Sequence, residues 1–536
     1  MSPRTTDTPT RPASGPDADH VGRDLPEVVT APGRLADCTF LEEGEVDAVL
    51  VAVGAPVEGD DELQPRAGTT DAAVRYGIDL AELAERADFS GAAGTVHTID
   101  LPRPHRSGRT TLPWQGLPSR VVLVGVGRET TTDLRRAGAA VARATRGLGR
   151  ALTTVAARAD VAGATAFVEG YLLASYRTPT ASARTGTPPA EQLVLLGPTP
   201  DHVVESAVRG AWATWLVRDL TNAPSSTKTP GWMADRATAL ADVEGLDVRV
   251  LGPDELAAGG FGGILAVGRG SASTPRLVTV SYVPFGSPPA RGSKHVVLVG
   301  KGITYDTGGL SIKQREAMIP MKTDMAGAAV ALSVVLSASR AQVKHRVTAV
   351  LPLAENHMGA DSYRPGDVLT LHDGTTVEIA NTDAEGRIVL ADALSYADAT
   401  LDPDVLVDVA TLTGAASLGL GRGHAALYTE DEKLRVALES AADLTGERVW
   451  HMPLVEDYES ALDSSLADLR HVPTDASIGG GSITAALFLR RFVPGRRWVH
   501  LDIAGPARAT SAVHEVSKGA SGYGARLLLR FLEKLR

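Results

Sequence analysis

Short runs of branched apolar residues recur along this chain, and stretches with helical spacing lie between them. That alternation constrains the fold more than any other feature. In the first part, Val46–Val53, Arg120–Gly127 and Gln192–Leu196 read as buried strands, with helices expected at Thr70–Ala87 and Asp133–Gly147. His202–Asp219 carries apolar residues at helical spacing and reads as a connecting helix. Beyond it the strand signals are Asp247–Leu251, His295–Gly300, Arg346–Leu353, Asp404–Ala410 and Trp498–Ile503, separated by helical runs such as Ala326–Ala338 and Ile388–Ala399. The pattern predicts an α/β protein: a small N-terminal α/β domain, then a larger C-terminal α/β domain with a mostly parallel central sheet. At 536 residues two folded units and an extension are expected. The boundaries fall at 1–34 for a flexible tail, 35–200 for the first domain, 201–222 for the connecting helix and 223–536 for the second domain. Tyr176–Glu191, rich in Thr, Pro and Ala, reads as an exposed loop.

Several function classes are disfavoured by composition. A net charge of −11 argues against a bulk polyanion partner, because nucleic-acid binders carry a basic footprint. The single cysteine, Cys38, rules out an intrachain disulfide or a thiolate metal cluster and reads as a small core residue. No uninterrupted apolar run of the length of about 18 residues needed for a transmembrane helix occurs, so no membrane partner is expected. The first 34 residues lack the apolar stretch of a secretory signal, which points to the cytoplasm.

The chemistry gathers in three strings. Asn381-Thr382-Asp383-Ala384-Glu385-Gly386-Arg387 holds two carboxylates and a fixed cation; if it is extended, Asp383 and Glu385 share a face and can grip one centre. The string from Lys301 to Lys313 adds two lysines and Asp306, and Met321–Met325 adds Asp324. Lys301 and Asp306 fall just past the carboxyl end of one expected strand and Thr411-Leu412-Thr413-Gly414 past another, where open α/β sheets place ligands. Asp306, Asp324, Asp383 and Glu385 together balance two divalent cations; unbalanced, they repel and some stay protonated. Oxygen donors with a possible amine from Lys301 suit Zn²⁺, Mn²⁺, Co²⁺ or Mg²⁺. To ligate, Lys301 must be neutral, and nearby cations and burial both favour that state. Two such ions can make a bridging water nucleophilic and polarise a carbonyl, while a protonated Lys313 stabilises the oxyanion. Arg387 presents a fork suited to carbonate, and a bound bicarbonate would supply the general base that no histidine in these strings provides. No His-Glu-x-x-His or Gly-x-Ser-x-Gly motif is present, and Gly125-Val126-Gly127 lacks the third dinucleotide-binding glycine at Thr130.

Taken in order, these strings resemble the leucyl aminopeptidase family, the cytosolic two-metal exopeptidases. The likeness runs from about Thr221 to the end and includes Gly262–Ser271, Arg364–Val368, His500–Gly505 and Gly519–Gly524. It implies that Asp306, Asp383 and Glu385 hold one metal and that Lys301, Asp306, Asp324 and Glu385 hold the other. Lys313 and Arg387 would be the catalytic pair, with bicarbonate at Arg387 and Leu412. Met321, Thr411, Gly414 and Ala504 would line an apolar pocket for a leucine- or methionine-like first residue. The substrates implied are peptides with a free N-terminus, the ions Mn²⁺ or Zn²⁺, and the assembly a homohexamer. Ser226, Gln314 and Ala507 depart from the family's usual residues without touching the expected metal or catalytic groups. A DNA-binding architectural or regulatory role on the same scaffold, and phosphoester hydrolysis, are the rival readings.

Overall fold

The computed structural model describes residues 21–41, 45–56, 63–102, 112–179, 186–285, 291–473 and 475–536. Most of the expected tail, residues 1–20, lies outside these. Its last part does not behave as a tail, because Glu27–Ala31 is a strand paired in parallel with Gln192–Leu196. Arg23 then ties the segment down with a 2.7 Å ion pair to the buried Asp219.

In the N-terminal unit the sheet runs Glu27–Ala31, Gln192–Leu196, Arg150–Thr153, Ala48–Gly54, Arg120–Gly127, Val96–Asp100, and Gln64–Pro65 joins Ala48–Gly54. All neighbours along this path are parallel except the last pair. The helix expected over Thr70–Ala87 is split into Thr69–Tyr76 and Leu80–Arg86. Gly77 caps the first with a left-handed φ of 62°, and Asp79 starts the second by accepting from the amides of Ala81 and Glu82. Of the expected loop 176–191, residues 180–185 lie outside the described residues. Its described ends have no regular structure, yet Tyr176 and Ala190 are buried.

The connecting helix is Asp201–Asn222, and it packs on both sides. Ala207, Ala211 and Trp215 belong to the N-terminal core, and Trp212, Leu216 and Leu220 to the core of the larger unit. A buried charge cluster closes the same joint. Glu169, on helix Val161–Ala174, lies 3.6 Å from Arg135 and 3.0 Å from Arg526, and Arg526 also reaches Glu447 at 3.3 Å.

The larger sheet runs Val449–His451, Ala425–Tyr428, Trp498–Asp502, Val405–Ala410, His295–Gly300, Arg346–Asn356, Arg276–Tyr282, Asp247–Leu251, with Gly302–Asp306 paired to the far half of Arg346–Asn356. Its centre is parallel. Arg276–Tyr282 pairs antiparallel on both sides and Ala425–Tyr428 pairs antiparallel with Trp498–Asp502. The helical run Arg315–Arg340 is long and apolar enough to cross a membrane, but its apolar window is 78% buried inside this unit, so it is a core element. Its main part, Ala326–Arg340, packs on the central strands and the connecting helix.

Glu169→Ala would leave Arg135 and Arg526 buried without their shared anion. We expect a loss of about 3–5 kcal/mol in denaturant unfolding; a loss under about 1 kcal/mol would show that the cluster does not hold the joint.

Candidate metal centre

The sheet brings the three strings together at the carboxyl ends of its parallel strands. Lys301 follows His295–Gly300, and its amide is fixed by the Val409 carbonyl at 3.0 Å. Asp306 ends Gly302–Asp306; Asp324 stands two residues before helix Ala326–Arg340; Glu385 is the first residue of helix Glu385–Tyr396. The Asn381–Arg387 string is therefore not extended. It is a turn entering a helix, so Asp383 and Glu385 meet the centre from a turn and a helix N-terminus rather than from one strand face.

Asp306, Asp324 and Glu385 each offer an oxygen, all within 4.8 Å of one another, and all three are buried. Lys301 Nζ lies 2.8 Å from Asp324 Oδ2 and 2.9 Å from Glu385 Oε1 and donates to the Thr411 carbonyl at 3.1 Å. Lys313 Nζ lies 2.7 Å from Asp306 Oδ2 and also pairs with Asp383 Oδ1. Two ammonium groups thus face four carboxylates, and negative charge is left over. Burial, aided by Glu385 and Asp306, pushes the Asp324 carboxyl well above the usual range despite Lys301. Burial also raises Asp306 and Asp383. Burial alone would pull Lys301 down, but Asp324, Glu385 and Asp306 more than reverse it and hold the ammonium charged. Lys313 is held charged by Asp306 and Glu385 in the same way.

Divalent cations fit this donor set. Glu385 Oε2 is buried with no hydrogen-bond partner, and Asp324 Oδ2 receives no well-aligned donor although Lys301 is near. Unsatisfied buried carboxylate oxygens are costly unless a cation takes them.

The centre floors a cavity of about 520 Å³. Its walls include Lys301, Asp306, Lys313, Asp324, Asp383 and Glu385, with Met321, Thr411, Leu412, Gly414, Ala504 and Ala507 beyond them. Arg387 does not line this wall. It is 7% exposed on the same helix as Glu385, donates to the His471 carbonyl at 2.6 Å, and leaves its buried Nε without an acceptor. Burial pulls its guanidinium down to about 10, which leaves it charged near neutrality. The Leu412 amide is already engaged, donating to Asp502 Oδ1 at 3.1 Å.

Several residues that hold the site were not singled out from sequence. Asn356 Nδ2 donates to Asp306 Oδ1 at 2.8 Å and to the Thr382 carbonyl at 3.0 Å. Thr382 Oγ1 accepts from the Ser311 amide and donates to the Gly308 carbonyl, which locks two of the strings together. Gly308, with φ of 85°, makes the turn that returns Lys313, and a Cβ there would sit 2.5 Å from the Ser311 carbonyl oxygen. A Cβ on Gly386 would sit 2.4 Å from Lys301 Cε, so the lysine reaches the carboxylates only across a glycine. Asp502 accepts from Leu412, Thr413 and Ala504 and fixes the loop on the apolar side. The usable signal for Asn356 and Asp502 was a polar residue ending an otherwise apolar strand. Nothing local marks His471, which arrives from a distant loop: its Nε2 lies 2.8 Å from the Asn381 carbonyl and its Nδ1 3.1 Å from the Glu378 carbonyl.

Comparison with known proteins points one way. Residues 215–529 match the sequence profile of the cytosol aminopeptidase family, catalytic domain, and residues 51–181 match that family's N-terminal domain. A probable cytosol aminopeptidase of Streptomyces avermitilis is 39% identical over 91% of this chain and 95% of its own length. One from Nocardia farcinica is 41% identical over 85% of this chain and 89% of its own. Among solved structures, the bottromycin maturation enzyme BotP in complex with Mn superposes with a TM-score of 0.77 at 34% identity, over 91% of this chain and 99% of that one.

Burial, with the nearby Arg387 charge, pulls the His471 imidazole down to about 4. A histidine depressed in the fold contributes stability above its unfolded pKa and loses it as pH falls from about 6.5 toward 4. His471→Asn should flatten the fall in unfolding free energy over that window by about 3 kcal/mol relative to the unsubstituted chain. Identical slopes in the two proteins would refute the assignment of a buried neutral imidazole.

Proposed function

This chain belongs to the cytosol aminopeptidase family and is an aminopeptidase; on that premise we propose that it removes leucine-like N-terminal residues from peptides with two divalent ions per subunit, Mn²⁺ or Zn²⁺. The observation that carries the reading is the buried trio Asp306, Asp324 and Glu385, with oxygens within 4.8 Å of one another, and with Asp324 Oδ2 and Glu385 Oε2 lacking a hydrogen-bond partner. Likeness to an enzyme solved with Mn supports it. In the proposed ligand sets, Asp306, Asp383 and Glu385 would hold one ion, and Asp306, Asp324 and Glu385 the other, with Lys301 joining the second set only once the cation has displaced the proton that these carboxylates keep on it. When bound, the ions supply Lewis-acid polarisation of the scissile carbonyl and a water acidified into a nucleophile.

The protein's own groups do the remaining work. By likeness to the family, the substrate's free α-amine would bind the second ion, which selects chain ends over internal bonds. Lys313, kept charged, is a donor to the oxyanion that forms as the carbonyl is attacked. Arg387, charged and with its Nε free of any acceptor, is the group to hold bicarbonate near Leu412, and bicarbonate would take the proton from the attacking water. Met321, Thr411, Gly414 and Ala504 receive the first side chain. No atom lies within 4 Å of a Cβ built on Gly414, so that pocket has room for a branched chain.

Purified protein should hydrolyse leucine p-nitroanilide with Mn²⁺ or Zn²⁺, lose the activity on chelation, and leave an N-acetylated leucine substrate intact. Asp324→Ala and Glu385→Ala should lose bound metal and turnover together. Lys313→Ala should keep its metal and lose about 10²–10³ in kcat. Full activity with unchanged metal content in either carboxylate variant would sink the metal assignment.

We further propose a cytoplasmic homohexamer. Exposed apolar side chains such as Phe285 (93%) and Leu418 (89%) give such an assembly surface to bury. Light scattering should return six chain masses, and a monomer at working concentration would exclude it.

A further inference from the structure

Two walls of the catalytic cavity run from the acidic centre to a pair of arginines. The first is helix Gly414–Leu420. It begins just after Thr411, whose carbonyl accepts from Lys301 at 3.1 Å, and its Gly414 and Ser417 both line the cavity. Seven helical residues at about 1.5 Å each make this wall about 10 Å long. Gly421 ends the helix with a left-handed φ of 69°, and the next residue is Arg422, exposed and also on the cavity wall. The second wall is the segment after strand Trp498–Asp502, in which Ala504, Ala507 and Arg508 line the cavity.

The two walls are joined at two places. At the centre, Asp502 accepts from the Leu412 and Thr413 amides on one wall and from the Ala504 amide on the other. Farther along, the Gly421 carbonyl packs on Gly505 so closely that a Cβ there would sit 2.2 Å from the oxygen. Arg422 and Arg508 therefore stand beside Ala504, on the side of the cavity assigned to the first side chain. Burial and the charge of Arg422 push the Arg508 guanidinium down, so the two cations face one another without an anion between them. Neither has an ion-pair partner among the described residues. Both also line a neighbouring cavity of about 380 Å³, where Arg135 and Arg136 stand; of its acids, Glu447 is already held by Arg526. Between the arginine pair and the carboxylate centre the walls present Gly414, Ser417, Ala504 and Ala507, none larger than serine.

A first side chain that rests on Ala504, outreaches leucine and ends in a negative charge would meet this pair. Resting on the aminopeptidase reading above, we propose that the pocket for the first residue has two parts: an apolar part at Met321, Thr411 and Ala504, and a cationic part beyond Ala507, where Arg422 and Arg508 bind the side-chain carboxylate of an N-terminal glutamate. Guanidinium forks pair with carboxylates through two parallel charge-assisted hydrogen bonds, which an amide of the same shape cannot match.

The test uses the Mn²⁺-loaded full chain with the α-p-nitroanilides of leucine, glutamate and glutamine. Glutamate and glutamine share a shape and differ in charge, so their comparison reads the arginines. The ratio of kcat/KM for glutamate to that for glutamine should be about ten at low salt, as expected for charge-assisted hydrogen bonds. It should shrink with added salt. In the doubly substituted Arg422→Gln, Arg508→Gln protein the ratio should fall to one or below. Arg422→Gln alone, at an exposed position, should take part of the same loss, and a ratio within one protein is insensitive to losses in folded fraction. A ratio of one or less in the unsubstituted chain, or a preference that survives the double substitution, would overturn the glutamate subsite, while turnover of the leucine substrate would leave the aminopeptidase reading standing. No turnover of any of the three substrates would overturn both.

Discussion

Four carboxylates and two lysines share one buried region at the carboxyl ends of the central strands, and their mutual repulsion is what the surrounding structure has to manage. Each carboxylate taken out of water needs donors or counter-charge. Asp306 has the Gly308 amide and Asn356 Nδ2, both at 2.8 Å, besides Lys313. Asp324 has Thr411 Oγ1 at 2.7 Å besides Lys301. Glu385 begins a helix, where the positive end of the backbone dipole favours an anion. These donors come from separate strands and loops, so the site can exist only once the whole sheet has closed. What they leave unsatisfied, above all Glu385 Oε2, is what metal ions would take.

The joint between the two units matters to the site through charge as well as packing. Helix Asp201–Asn222 contributes side chains to both cores, which fixes the orientation of the N-terminal unit. That orientation carries Arg135 and Arg136 to the space beside the catalytic cavity. Glu169 neutralises part of the resulting positive charge where it is buried. A catalytic unit alone would keep Arg422 and Arg508 but lose the far side of their cavity.

Much of this was legible from the chain because the information was local. His295–Gly300 and Gln192–Leu196 were bounded as the structure has them, since each is a short run that is apolar after its first residue. All the expected lining residues except Arg387 meet at one cavity. What escaped is what depends on pairing over distance. Glu27–Ala31 is a strand only because Gln192–Leu196 offers it an edge, so a Pro- and Asp-rich neighbourhood read as tail. Arg276–Tyr282 is held antiparallel from both sides, and no periodicity announces that. Asp383 and Glu385 would share a face only if their string were extended, but a turn and a helix start bring them together instead.

Charge is segregated over short distances here, and range decides which field a substrate feels. The net −11 is a sum over the whole chain, and exposed charges farther apart than about 8–10 Å are screened from one another at physiological salt. A peptide approaching from solution therefore meets little of that total. What it meets is the lining of the cavity, where Lys301, Lys313, Arg422 and Arg508 stand with Asp306, Asp324, Asp383 and Glu385, so the local balance of charge, and not the sum, sets the field at the centre.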